Sequence, residues 1–363
     1  MKKVITLLII LTIVLFFALE ATALTGCNNT IQRQLDVYIW EGYLPKEVAA
    51  LFEQETAVKL NISLISDNEK MAALLRGGGK ADIVMPTNNH INIFYENGLA
   101  QPLDLKNIKN YERVSRPLRE QPWTKWDGSN MGTGEIFAIP YIFGTSGLII
   151  NTTKYTKSLD NIGWDVLLDA DLKGRTSTTN SEETLFFLLD LSGIPREDLS
   201  TDTVITLNKI RDKVTALKDN VLKFYNTGAE ISDLLMNEEV WISHIWDGNG
   251  RSLCKSDAKF KYVFPKTGGV AWTDSFIIPK SAANFKDASV FINFMLRPDI
   301  AAKVTLASGY NTTIEESLDL IKSINKDFYR FSDEEMVNFK WAQNLSEEER
   351  SICVSFWEEL TSS

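Results

Sequence analysis

Trp272 and Asp274 stand two residues apart in the β-prone run Gly268-Gly269-Val270-Ala271-Trp272-Thr273-Asp274-Ser275-Phe276-Ile277-Ile278-Pro279. On a strand such residues emerge on one face, which sets an indole plane beside a carboxylate. An aliphatic amine suits that pair, because the acid neutralises an ammonium while the ring covers methylenes and attracts the cation by ~0.5–2 kcal/mol. Burying four CH₂ groups contributes roughly 3 kcal/mol at about 0.8 each, whereas a buried ammonium without an acid costs several kcal/mol. Acids therefore decide selectivity as well as affinity. The chain has nine Trp, enough for an aromatic site, although a Trp ordinarily belongs to the core because it buries so much apolar area.

Catalysis has little to work with. The two histidines, His90 and His244, belong to no HExxH motif, and GxSxG is absent. A metal carrier would want clustered His, Tyr and carboxylates; neither a metal site nor a cofactor is expected. Asp and Glu outnumber Lys and Arg, 48 to 38, for a net charge of -10. That balance argues against nucleic acid and suits a collector of cations.

The first 26 residues lie outside the fold. Lys2 and Lys3 precede an apolar stretch from Val4 to Leu19, and small residues lead to Leu24-Thr25-Gly26-Cys27. This is the pattern of a secretory signal, too short to span a bilayer, which takes ~20 apolar residues. The Leu-x-Gly-Cys ending resembles the bacterial lipobox, which implies cleavage before Cys27, lipidation of its thiol and a periplasmic protein anchored to a bacterial membrane. An extracytoplasmic compartment permits a disulfide between Cys254 and Cys353; two buried free thiols are the simpler expectation.

The elements that must position the site alternate between strand and helix. Leu35–Trp40 and Val58–Ile65 read as strands, with Val48, Leu51 and Phe52 at helical spacing between them and Pro45 in that helix's first turn. A helix follows over Asn68–Leu75, and Ala81–Pro86 reads as a third buried strand. A second set holds strands around Phe137–Tyr141, Gly147–Asn151 and Val240–Trp246, and helices over Leu185–Asp190 and Val204–Leu217. The helix Ala288–Leu296 stops at Arg297-Pro298. Such alternation predicts an α/β protein with a parallel, helix-flanked sheet, whose ligands sit beyond the carboxyl ends of strands. Trp40 and Thr87 fall there.

Several blocks resemble the periplasmic spermidine/putrescine-binding proteins. They include Tyr38-Ile39-Trp40-Glu41-Gly42-Tyr43-Leu44-Pro45, Asp82-Ile83-Val84-Met85-Pro86-Thr87 and Ile139-Pro140-Tyr141-Ile142-Phe143-Gly144. Ile245-Trp246-Asp247-Gly248, Pro265 to Ser275, Ile292 to Asp299 and Gly309-Tyr310 continue the series in the family's order. The resemblance implies a two-lobe, type II-like fold with a ligand cleft between lobes joined by crossing strands. By it, one lobe spans residues 32–144 and 273–318, and the other 145–272 and 319–355. It implies no enzyme activity, and partnership with the permease subunits of an ABC transporter in the inner membrane. Trp40, Tyr43, Trp246, Trp272 and Tyr310 fall on the family's aromatic positions. Asp274 and Glu183 fall on amine-binding acids, with Glu41, Thr87, Asp247 and Gln343 as further ligand contacts. Gly42 and Asn180 stand where spermidine binders carry acids, and Asn89 where they carry an aromatic. Those losses favour a dication and rank putrescine ahead of spermidine; a third anion from Glu41 or Asp247 would reverse the order. Another small cationic solute, or a surface role without transport, is the alternative.

Overall fold

The computed structural model describes residues 33–65, 67–322 and 339–362. Strand β1 (Gln34–Trp40) buries Leu35, Val37 and Ile39 at alternate positions and pairs in parallel with β2 (Lys59–Ile65). The helix Lys46–Thr56 connects them and seats Val48 and Phe52 in the core. Pro45 caps that helix rather than entering its first turn. The helix Asn68–Arg76 follows, with the Asp67 carboxylate accepting from the Glu69 and Lys70 amides, which satisfies donors that a helix start leaves free.

Residues 81–86 do not form the continuous third strand expected. Ile83 bridges Val37 in parallel, Val84 bridges Ile277 antiparallel, and Thr87 bridges Asp274. The segment changes partner from β1 to the chain around Asp274, and Pro86 has no amide to extend a ladder. The break delivers Thr87 to Asp274.

Strand β5 (Ile139–Asn151) is buried at every residue. It follows the two-residue strands β3 (Lys125–Trp126) and β4 (Glu135–Ile136). Its first half pairs antiparallel with β10 (Val270–Phe276). From Ser146 onward it pairs with β8 (Ile242–Trp246) and β9 (Phe260–Val263). Strand β6 (Thr176–Thr179) lies parallel to β8 and to β7 (Val221–Tyr225), while β11 (Asn311–Thr312) pairs with β5 and β12 (Lys340–Trp341) with β10. The sheet is therefore mixed, not parallel throughout, because β5 runs against four neighbours, β8, β9, β10 and β11.

The hydrophobic cores fall into two groups on either side of β5. One joins Leu35, Phe52, Ile83, Phe143, Phe276, Phe291 and Ile314, with a satellite around Phe94 and Ile277. The other joins Leu148, Trp164, Phe186, Leu217, Ile242 and Phe356, with a satellite around Tyr225 and Leu253. The molecule thus has two lobes, and β5 contributes to both. Trp272 packs in the first core and Val270 in the second, so β10 also crosses.

Two further expectations change. The helix expected over Val204–Leu217 is two helices, Thr203–Asn208 and Arg211–Asn220, because the chain turns to bury Ile210 completely. The next predicted helix runs over Phe285–Met295, and Pro298 opens another. Cys254 and Cys353 are free thiols.

Candidate functional site

Asp274 lies near the end of β10, almost fully buried. The Tyr43 hydroxyl donates to its Oδ2 at 2.6 Å and the Thr87 hydroxyl to its Oδ1 at 2.7 Å. Thr87 is itself held by Asn68, whose Oδ1 accepts from the Thr87 amide at 2.9 Å. Burial raises the Asp274 carboxyl, the two hydroxyls oppose it, and the Glu183 charge raises it further, leaving its pKa at about 7. Burial and the neighbouring Asp274 hold Tyr43 well above the ordinary phenol value, so it remains a donor.

Glu183 comes from the other lobe, as the second residue of the helix Glu182–Leu191, where the helix dipole favours an anion. The Ser146 hydroxyl donates to Oε2 at 2.6 Å, His244 Nε2 lies 3.0 Å from the same oxygen, and Trp246 Nε1 donates to Oε1 at 3.2 Å. Burial alone would raise this carboxyl; the His244, Ser146 and Trp246 donors outweigh it and lower the pKa. Register explains the convergence, since Ser146 of β5 pairs opposite Trp246 of β8 and Leu148 opposite His244.

Aromatic rings pack about the two acids. Tyr310 meets Tyr43 edge-on at 5.5 Å and Trp272 at 5.3 Å. Trp40 anchors its indole through a 2.7 Å bond to the Met85 carbonyl, and Trp246 meets Tyr225 edge-on at 5.7 Å. Two glycines permit this packing. A Cβ at Gly144 would lie 2.4 Å from the Trp272 ring, and one at Gly248 2.5 Å from the Tyr310 ring.

Not every predicted contact joins the box. Glu41 is exposed, because β1 ends at Trp40 and Glu41 sits in the turn that follows. Asp247 is fully buried, with Arg251 at 3.0 Å and the Asn311 amide donating at 2.7 Å. Burial raises its pKa, against the pull of Arg251 and Asn311; its charge is spent within the fold. Gln343 is half-buried just after β12. Asn89 is buried and donates to Glu182 at 3.3 Å, and Asn180 accepts from Trp357 at 2.7 Å. Glu182 pairs with the buried Arg350, which also reaches the Asn89 carbonyl at 2.7 Å. Cys27 lies outside the described residues.

Ser146, Tyr225 and His244 went unpredicted. His244 had a signal, for it precedes Trp246 by two on one strand, the spacing that singled out Trp272 and Asp274. A separate surface hollow of about 380 Å³, lined by Tyr155, Asn161, Gly163 and Asp165, collects no comparable set of groups. Among the described residues, no group of His, Cys, Asp and Glu could hold a metal ion.

Residues 47–329 match the family model of bacterial extracellular solute-binding proteins. The chain is 27% identical over 323 residues to spermidine/putrescine-binding periplasmic protein 1 of Haemophilus influenzae, covering 85% of this chain and 86% of that one. It is 26% identical over 289 residues to the putrescine-binding periplasmic protein of Escherichia coli, 76% of each. A solved Listeria monocytogenes structure, assigned to a spermidine/putrescine ABC transporter, superposes with a TM-score of 0.80 at 26% identity, covering 90% of this chain and 98% of that one.

Proposed function

The chain belongs to the bacterial extracellular solute-binding proteins, a family of binders and not of enzymes, and from that premise we propose that its cleft captures a polyamine for an ABC permease. Putrescine is the first candidate and spermidine the second. One observation carries the reading: Asp274 and Glu183, from opposite lobes, are joined by an aromatic box across which the Glu183 charge raises the Asp274 carboxyl, while two other buried acids nearby are neutralised. Asp247 is paired with Arg251 and Glu182 with Arg350. Two anions remain for cationic nitrogens, which matches a diamine; a third buried ammonium would go unpaired at a cost of several kcal/mol.

Capture proceeds by closure. The lobes are assigned as residues 32–144 with 273–318, and 145–272 with 319 onward. The second extends to Thr361, because Phe356 and Trp357 pack in its core. β5 and β10 form the hinge, and closure removes water from around the ion pairs. Export and lipidation at Cys27 place the protein at a membrane surface beside its permease, a reading carried by Leu24-Thr25-Gly26-Cys27. Thermal unfolding with a panel of putrescine, spermidine, lysine and thiamine tests the ligand class. At 100 times its dissociation constant a ligand stabilises by about 2.7 kcal/mol, so putrescine should raise the midpoint most. A rise with thiamine or lysine and none with either polyamine would assign the cleft to another small cation.

A further inference from the structure

Asn88, Asn89 and Asn92 are polar and yet buried. They lie on the turn Asn88–His90 and the start of the helix Ile91–Glu96, where Ile91 and Phe94 root the chain in the first group of cores. Facing them runs the segment 342–350, whose Ala342 and Leu345 are rooted in the second group. Side chains make the bonds across this seam. Asn88 Nδ2 donates to the Ala342 carbonyl at 3.1 Å, and Asn92 Nδ2 to the Leu345 carbonyl at 2.9 Å. Asn89 Nδ2 donates to Glu182 at 3.3 Å. Arg350, the partner of Glu182, donates in turn to the Asn89 carbonyl at 2.7 Å.

We propose that this seam is a latch between the lobes, separate from the hinge, whose strength sets the share of chains that stand closed whatever amine is offered. It rests on the lobe closure proposed above. Two apolar faces would weld the lobes, because parting them wets hydrocarbon. Amide-to-carbonyl bonds part at little net cost, since water replaces each one. The seam also stops short of full satisfaction. His90 Nδ1, Asn92 Oδ1 and Arg350 Nε find no partner among the described residues, and an unmade buried hydrogen bond disfavours the closed form. Closing strips water from the Glu182–Arg350 pair as well, a cost that the Asn89 amide and carbonyl offset. The latch is therefore poised: it engages without ligand but does not hold every chain shut. A ligand's apparent affinity is its intrinsic affinity scaled by the competent fraction, so weakening the latch lowers the affinity for every amine by one factor.

The test uses the whole chain and two substitutions that remove seam donors, Asn89→Ala and Asn92→Ala. Their amides bond to Glu182 and to the Leu345 carbonyl, not to Asp274 or Glu183. Calorimetry should show putrescine and spermidine weakened by the same factor, about threefold for each single variant and about tenfold for the pair, one lost hydrogen bond being the cause in each. Small-angle X-ray scattering from the ligand-free chains supplies the second readout. The double variant should have the larger radius of gyration, with circular dichroism matching wild type. Unequal losses for the two amines would put Asn89 or Asn92 at the ligand and overturn the proposal, as would unchanged affinity with unchanged scattering. Should the pair fail to fold, the single variants carry the same comparison. Should the wild-type chain bind neither amine, the polyamine reading falls, and scattering alone decides the latch, an unchanged radius then overturning it.

Discussion

Asp274 is held by hydroxyls alone, those of Tyr43 and Thr87, and its carboxyl sits at about 7. Glu183, on the facing lobe, is held by a hydroxyl, an indole and an imidazole, and is ionised more readily than a free carboxyl. Burial acts on both, so the difference lies in the donors and in the Glu183 charge that raises Asp274. It teaches that the two anchors have separate tasks. On the polyamine reading proposed above, Glu183 is the standing anion that draws an ammonium into the cleft. Asp274 is half-protonated near neutral pH, and on the same reading an arriving ammonium would complete its ionisation. The free energy of ionising Asp274 is thereby tied to the presence of ligand.

Removing either anchor tests that division most severely. Asp274→Ala should cost about 3–5 kcal/mol of putrescine binding, the loss expected when one partner of a buried charge pair is deleted. Asp127→Ala should change nothing, because Asp127 is exposed and bonds only to its own turn at Ser129, Asn130 and Thr133. Glu183→Gln should cost less, about 2 kcal/mol, since Ser146 and Trp246 still orient the side chain while its charge is lost. Titration calorimetry on the three variants gives the order. Comparable losses for Asp274→Ala and Asp127→Ala would remove the site assignment.

Acidity separates the anchors in a second way. Below about pH 7 the ligand-free Asp274 holds a proton that the ammonium must displace, so putrescine affinity should fall by up to about tenfold per pH unit on acidification. Stability of the ligand-free protein runs the other way. The Asp274 pKa rises on folding from about 3.9 to about 7, so the folded state binds more protons between those limits. Stability is then highest at the acid end of that window and is lost as pH rises through it, by roughly 4 kcal/mol at most. Asp274→Asn should accordingly unfold at a higher temperature than wild type above neutrality while failing to bind. A ligand-free midpoint independent of pH, in wild type and variant alike, would contradict the assigned ionisation.

The smallest expected effect concerns the neutralised acids. Arg350→Gln frees Glu182 beside Asn89 and should narrow the preference for putrescine over spermidine by about tenfold, one partly buried charge being worth ~1–2 kcal/mol to a third ammonium. An unchanged ratio would mean that Glu182 does not reach the ligand.

Much of this was legible in the sequence where chemistry is local. The Trp272–Asp274 pair and the runs that became β1, β8 and β10 follow from strand periodicity, whereas β5 reads as two runs, around 137–141 and 147–151, that the structure joins into one strand. Tyr43 and Thr87 could be placed near the site, but not on Asp274. Those bonds join residues 231 and 187 positions apart, and the one from Thr87 follows from the switch of partner at residues 81–86. Asp247 was legible after all: Arg251 follows it by four on a helix, the spacing of an intrahelical ion pair. Crossing strands are harder to read, since neither composition nor period marks the point in β5 where Ser146 passes from one core to the other. The split of β10 between Val270 and Trp272 is equally silent.

The most direct test is titration calorimetry of the chain from Asn28 onward with putrescine, spermidine, spermine, lysine and thiamine near neutral pH. One putrescine should bind per chain, more tightly than spermidine and with a dissociation constant below about 100 μM, roughly 5.5 kcal/mol. Failure of every amine to bind below that concentration would contradict the assignment of the cleft.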